Sequence, residues 1–541
     1  MVDTYNHEVA AQEAGILKLT VPAQQNQLDP AMEVRPRALR AWGDALPFLT
    51  PELAARQLRE QLQRLNRQPL PADQRLELLD LLAAPYWRLF DALLATLEPS
   101  AAGAARTGIA TALQRCCQDL AFGYKIAVQD SLAEQRLFGG ARIRQRSLLQ
   151  AIQYLGQHLR HRYADYQRPP ASLWTEIDQL YRHARQENCH QTRLTGQRGE
   201  DTSIEQAYLE VLLLKVGDPF QLPAGGLWEV WRYLRGQAHR ARLLPWQDSE
   251  QGRQLYLPAA NPQANGYRHG LGLDLRSLRD AVREDLARLQ QDCGSVALGM
   301  GDQLHAQAAR RILERLLHGW EQSVERKAER KPLQGNAVLV SGLEAVFCCL
   351  NRGLAFDRHA YQAPEEGQDE EIDLGRQVAQ WDPAREAEFP SLSCRVLDRS
   401  AGGIGLQYGS SLEHAPRVGQ LIAIRSQARG SDEAGAWFVA SPRWLREETH
   451  GFELGAQYLA REPLPVAVRA PVGPAGAEYH PALRSDLVQA GRPWHLLITP
   501  PGLFAPNRHL ELVRGGQRDS VRCLKLLESG NGYERFCFEP L

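Results

Sequence analysis

One change of hydrophobic period divides this 541-residue chain. From about residue 36 to 330, apolar side chains recur every three or four positions, the spacing of one helix face. Leu53, Leu58, Leu62 and Leu65 mark a first stripe behind Thr50-Pro51, an N-cap followed by proline at the first helical position. Tyr86, Phe90, Leu93, Leu94 and Leu97 mark a second, and Leu148, Ile152, Leu155 and Leu159 a third. Ser203 with Gln206 has the form of a capping box. Leu275, Leu278, Val282, Leu286 and Leu289 follow, then Leu304, Ile312, Leu316 and Trp320. After residue 335 the period becomes that of strands. Asn336–Ser341, Ser393–Leu397, Ile404–Tyr408, Gln420–Arg425, Ala436–Ser441 and Phe452–Tyr458 all alternate or carry β-branched and aromatic residues.

Two stretches interrupt the strand series. Gly342–Phe356 is short, apolar and reads as helix, and Pro364–Asp373 (PEEGQDEEID) is acidic and reads as a solvated linker. Prolines 463, 465, 471 and 474 form a joint, beyond which four or five further β-like runs, including His495–Thr499, His509–Val513, Ser520–Leu527 and Tyr533–Phe538, suffice for a small barrel or sandwich. The expected fold is therefore α+β and multidomain. Its parts are a flexible tail (1–35), a helical domain (36–325), a β-barrel (326–462) interrupted at about 342–390, and a small β domain (463–541). No regular repeat of solenoid length is present.

With 63 basic and 64 acidic residues and a net charge of -1, the chain has no global field for nucleic acid or an acidic membrane, so any polyanion site must be local. Its nine cysteines include no C-x-x-C and read as reduced thiols. The first residues lack the pattern of a signal peptide, and no apolar run reaches membrane-spanning length. A cytoplasmic protein without membrane insertion is expected.

Arg326-Lys-Ala-Glu-Arg330 follows the last helical stripe, and Asp398-Arg-Ser400-Ala-Gly-Gly403 occupies a turn between two strands. Taken singly each has a plain explanation. Cations suit a helix C-terminus, with Glu325 and Glu329 close by, and D-x-S-x-x-G is a common turn composition. Together, in this order and with these strands, they resemble the PilZ domain, the bacterial receptor module for cyclic di-GMP. Val418-Gly419-Gln420-Leu421, and Pro442-Arg443-Trp444 followed by Gly451-Phe452-Glu453-Leu454-Gly455, extend the likeness over residues 320–462. The residue types suit such a ligand. Arginine offers phosphate a planar fork and guanine a flat face, while Asp and Ser can meet a guanine edge.

The resemblance implies that Arg326 and Arg330 clamp cyclic di-GMP against a barrel surface bearing Asp398, Ser400 and Gly403. One departure is the 68-residue interval between Arg330 and Asp398, whose excess the helix and the acidic linker account for. No other cofactor is implied. No cyclase-like GGDEF, phosphodiesterase-like EAL or HD-x-H set is present, so no enzyme is expected. The function implied is that of an effector that passes ligand binding to an unknown protein partner through its helical region. A scaffold that has lost ligand binding, or an enzyme in the helical region regulated by the barrel, are the alternatives.

Other constellations have plainer readings. Arg142, Arg144, Arg146, Arg160, Arg162 and Arg168 with His158 and His161 lack the aromatic platform that single strands need, and read as a solvated helix face. Cys189-His190 has no partner pair at metal-ligand spacing. Gly402-Gly403-Ile-Gly405 opens a strand, unlike a phosphate-binding loop, and Glu370-Glu371 belongs to the linker.

Overall fold

A computed structural model describes residues 17–30, 32–95, 104–134, 139–223, 225–245, 254–257, 271–291, 294–301, 304–321, 331–357, 389–409, 415–426, 435–471, 478–489 and 492–541. The chain divides into two compact units, Met1–Gln322 and Ser323–Leu541.

The first unit holds α1 (Pro36–Asp44), α2 (Pro51–Asn66), α3 (Ala72–Ala95), α4 (Ala104–Ala133), α5 (Gly140–Ala164), α6 (Ala171–Gln186), α7 (Ile204–Val216), α8 (Gly226–Gln237), α9 (Arg276–Gln290) and α10 (Ala306–Trp320) around one apolar core. Pro51 opens α2 behind Thr50, and Ser203 caps α7 by accepting a hydrogen bond from the Gln206 N–H at 3.2 Å. The fully buried Trp320 closes α10 and donates its indole N–H to the Leu213 carbonyl of α7 at 3.0 Å.

Three expectations fail in this unit. Residues 17–35 are not a loose tail. Leu19 and Met32 are buried, the Thr20 N–H donates to Glu176 at 2.7 Å, and the Thr20 carbonyl accepts from Lys125, which pairs with Glu176. Residues 1–16 lie outside the described part. Second, the helical period hides a three-stranded antiparallel sheet, β3 (Arg242–Pro245), β4 (Gln254–Leu257) and β5 (Leu271–Asp274), in strand order β3-β5-β4. A two-stranded hairpin, β1 (Leu194–Thr195) with β2 (Asp201–Thr202), is equally short. Third, the basic stretch is solvated only in part: Arg142, Arg146 and Arg168 are exposed. α5 is buried through its middle, with His158, Arg160 and His161 only 6%, 2% and 3% exposed. Burial brings His158 down to about 4 and His161 to about 3, so both are neutral near pH 7 and add no charge.

The second unit contains two closed six-stranded antiparallel barrels. The first runs β6 (Lys331–Ser341), β7 (Ser391–Ser400), β8 (Gly403–Tyr408), β11 (Gly451–Arg461), β10 (Trp437–Glu448) and β9 (Ile422–Ser426), closing on β6. The second runs β12 (Leu464–Arg469), β13 (His480–Gln489), β14 (Arg492–Thr499), β17 (Glu534–Pro540), β16 (Gln517–Ser529) and β15 (His509–Arg514), closing on β12. Closure leaves neither barrel an open edge. Counted within each barrel, the order around the ring is the same: 1-2-3-6-5-4.

Helix α11 (Leu343–Leu350) fills the interruption between β6 and β7. It does not loop out. Its Leu343, Val346 and Phe347 share one core with Leu421 and Val439 of the first barrel and Leu483, Ile498 and Tyr533 of the second, so it cements the two together. The acidic linker lies outside the described residues.

The proline joint also conceals a strand. Pro465 lies within β12 but in the part paired only to β13, because pairing to β15 begins at Ala467; its missing N–H therefore interrupts no ladder. Pro442 does the same in β10, beyond the last residue paired to β9.

Candidate ligand site on the first barrel

Strand alternation decides which side chains of the D-x-S-x-x-G segment face outward. Cys394 and Val396 of β7 are buried in the barrel, and a register shift between Val396 and Asp398 then changes the phase. Beyond it Asp398 pairs with Gly405, Arg399 with Ile404 and Ser400 with Gly403. Ile404 and Leu406 are core residues, so Gly403 and Gly405 belong to the outer face, Gly403 half-buried and Gly405 covered, with Asp398 and Ser400 beside them. The row continues across the sheet: Gly405 pairs with Gly455, Gly403 with Gln457, and Gly455 with Trp444.

The result is a row of glycines walled and covered by polar and aromatic groups. A Cβ on Gly405 would stand 2.9 Å from Asp398 Oδ1, and one on Gly455 2.2 Å from Trp444 Nε1. Only hydrogen at these positions leaves room for the walls. A Cβ on Gly403 would come 2.4 Å from the Ala456 carbonyl, so the barrel itself needs this glycine before any ligand is considered. Ser400 Oγ donates to the Gly403 carbonyl at 3.4 Å, a long bond that closes the turn.

One wall connects this surface to the second barrel. Arg443, next to Trp444, donates from Nε to Gln457 at 2.8 Å and from its two terminal nitrogens to Glu528 of β16 at 2.6 and 2.9 Å. Tyr533 Oη donates to the same carboxylate at 2.7 Å. Burial pushes the Glu528 carboxyl up, but the hydrogen bond and charge of Arg443, with Tyr533 and Arg535, together outweigh it and the net shift is downward, so the pair is ionised near pH 7. Burial likewise opposes the charge on Arg443, and Glu528 more than restores it.

Asp398, Ser400 and Gly403 are thus brought together on one face. Arg326 and Arg330 lie outside the described residues. α10 ends at Trp320, six positions before Arg326. β6 begins at Lys331, the residue after Arg330, and pairs Lys331 with Arg399 and Pro332 with Asp398. Residues 331–335 are therefore a paired strand with a register shift between Pro332 and Gly335.

Three features escaped the sequence reading. Arg399, inside the motif, turns inward and places its guanidinium 4.8 Å from the Phe438 ring centre and 5.6 Å from that of Tyr458. Trp444 was legible only as a hairpin marker. The Arg443–Glu528 pair joins residues 85 apart, a distance at which no local pattern reports. Among the described residues, no group of three or more His, Cys, Asp or Glu side chains is placed to hold a metal ion. No described helix is long and apolar enough to cross a membrane.

Comparison with known proteins agrees with this layout. Residues 37–248 match the family described as the N-terminal domain of the cyclic-di-GMP receptor FimW, residues 354–465 its middle PilZ domain, and residues 466–541 its C-terminal beta-barrel domain. The cyclic-di-GMP receptor FimW of Pseudomonas aeruginosa is 25% identical over 515 residues, spanning 82% of this chain and 80% of that protein. Residues 249–353, which include Arg326, Arg330, β6 and α11, fall between the matched segments. With its three matched parts in FimW order and the middle one a closed barrel bearing the D-x-S-x-x-G turn, the chain belongs to the PilZ-domain family.

Proposed function

We propose that this protein is a cytoplasmic cyclic di-GMP receptor with no chemistry of its own, whose helical unit passes ligand occupancy to a partner protein. The observation that carries this reading is the pairing of Pro332 with Asp398. Two peptide units separate Arg330 from Pro332, so chain geometry keeps the two motifs within about 13 Å of each other, Cα to Cα. A compact dianion with two guanine bases can then meet arginine forks on one side and the Asp398–Ser400 face on the other. The name of the Pseudomonas relative, a cyclic-di-GMP receptor, supports the same ligand. In this reading Arg326 and Arg330 clamp the ligand, Asp398 and Ser400 meet a guanine edge, and Gly403 keeps the turn low enough for the ligand to approach.

The arginines also stand at the junction of the two units, between the end of α10 and the start of β6. Drawing them onto the barrel acts on the segment that joins the units, and the ligand biases two arrangements by its differential affinity for them. Calorimetry on the whole chain tests the binding. Saturable heat with cyclic di-GMP and much weaker heat with GMP are expected; no heat at tens of micromolar ligand leaves the scaffold alternative. Hydrogen exchange of α10 with and without ligand then tests the transmission, with altered protection at Leu313 to Trp320 as the expected result.

A further inference from the structure

The helical unit contains a cleft of about 970 Å³ that the ligand site of the barrel does not account for. It opens between α3, α5 and the β1–β2 hairpin. Its size lies at the upper end of pockets that hold small molecules or short peptide segments.

Two carboxamides in its lining lack donors. Gln150, on the buried stretch of α5, is 4% exposed, and its Oε1 meets no hydrogen-bond donor. Its amide nitrogen reaches the Thr195 carbonyl at 3.5 Å, which fixes which end carries the oxygen. Gln197, in the hairpin turn, also buries Oε1 without a donor. Neighbouring glutamines on α5 show what is ordinary here: Gln153 donates to Glu200 at 3.1 Å, and Gln157 donates to Tyr86 at 3.2 Å while accepting from Arg160 at 2.9 Å. Both acceptors line the same cleft, where an occupant that brings N–H groups would satisfy them.

The charges define the rest of the occupant. Asp80 is taken by Arg146 and by the Tyr124 hydroxyl at 2.8 Å, and Asp201 faces Arg193 at 3.6 Å. Arg142, exposed at the rim, has no ion-pair partner among the described residues, which leaves the lining one positive charge in excess. The aromatic floor offers no free ring face. Tyr124 and Tyr154 are fully buried and stack on each other at 5.0 Å, while Trp87, 8% exposed, is covered by Trp231 and by the Arg198 guanidinium at 4.8 Å. A nucleobase would therefore find no platform, although it could supply N–H donors.

We propose that this cleft binds a short acidic peptide segment of a partner protein. Its backbone N–H groups would meet Gln150 and Gln197, and its carboxylate Arg142. This rests on reading the helical unit as the output contact and gives that contact a place.

The test selects short random peptides on the full-length chain by display, then titrates the synthesised winners by fluorescence anisotropy. Winners should carry Asp or Glu, and Arg142→Glu should weaken them about 10-fold or more, the scale of one lost charge-assisted hydrogen bond. Gln150→Leu, which replaces the orphan acceptor with an apolar side chain of similar size, should also weaken them. Arg162→Glu, on the same helix but outside the cleft lining, where the arginine bonds the Arg168 carbonyl beyond the helix end, should not. Arg142 is exposed, so its replacement leaves the fold intact. No winners, winners without acidic residues, winners that bind Arg142→Glu as tightly as the parent, or winners displaced by GMP each overturn the proposal. Cyclic di-GMP titration of the same variants should match the parent, so failure here is distinguishable from failure of the receptor reading.

Discussion

The two barrels of the second unit have the same six strands in the same ring order, yet only one carries the polar turn. The pairing allows a position-by-position comparison. In the first barrel the turn from the second strand to the third is flanked by the pairs Ser400–Gly403, Arg399–Ile404 and Asp398–Gly405. In the second it is flanked by Gln489–Arg492, Val488–Pro493 and Leu487–Trp494. Asp398 is thus replaced by Leu487, Ser400 by Gln489, Gly403 by Arg492 and Gly405 by Trp494. The acid and hydroxyl are gone, and the two glycine positions carry large residues, one of them the 40%-exposed Trp494. The fold tolerates either set of residues, so the proposed ligand site belongs to the side chains on the barrel and not to the barrel.

The comparison breaks if the second barrel binds the ligand as well. Arg326→Ala or Arg330→Ala should each weaken cyclic di-GMP binding about 10- to 150-fold, the worth of a charge-assisted hydrogen bond of about 1.5–3 kcal/mol. Arg→Lys at either position should restore little, because the fork and stacking plane are lost. Leu487→Ala and Gln489→Ala should leave the isotherm of the whole chain unchanged. Equal losses from both barrels, or full rescue by lysine, would contradict the assignment.

A smaller effect separates structure from binding at Gly403. An added methyl group there meets the Ala456 carbonyl, so Gly403→Ala should destabilise the second unit by about 1–3 kcal/mol in urea, the usual cost of overpacking. Trp494→Ala, at the exposed position that matches Gly405, creates no such clash and should cost less. If Gly403→Ala melts like the parent and only binding falls, the glycine serves the ligand alone.

The grouping of Asp398, Ser400 and Gly403 was more legible than the fold around it, for a physical reason. Asp398, Ser400 and Gly403 stand within six residues of each other, and a turn brings such neighbours together whatever else the chain does. The six strands of the first barrel were legible from alternation, and α11 from its apolar run, but not that α11 joins two barrels, because its core partners Leu483 and Tyr533 come from far along the chain. β12 was hidden by Pro465, which reads as a breaker unless the unpaired side of the strand is known. The burial of Arg160 and His161 was hidden because α5 is enclosed by other helices, and their cover, including Tyr86 and Trp231, is distant in sequence.

The smallest predicted effect probes what binds the two barrels. Glu528→Gln keeps the shape of the side chain but removes the charge that Arg443 and Tyr533 converge upon. The pair is partly exposed, so about 1–2 kcal/mol is expected, below the cost of breaking a fully buried pair. Its pH dependence has a definite sign. The folded carboxyl lies below its ordinary value because Arg443, with Tyr533 and Arg535, overrides the upward push of burial, so the folded state holds the proton less tightly than the unfolded chain. The contribution is complete above the unfolded carboxylate pKa of about 4.3 and is lost as pH falls through the lower folded value. Urea unfolding of parent and Glu528→Gln should therefore differ at pH 7 and converge as pH drops below about 4. A gap that persists in acid would mean that the glutamate acts through packing and not through its charge. Cyclic di-GMP affinity gives the last distinction: Arg443 also holds Gln457, which pairs with Gly403. Freed from Glu528, the Arg443 fork becomes available to an anion on that face, so Glu528→Gln should bind the ligand no more weakly than the parent while its barrels separate more readily.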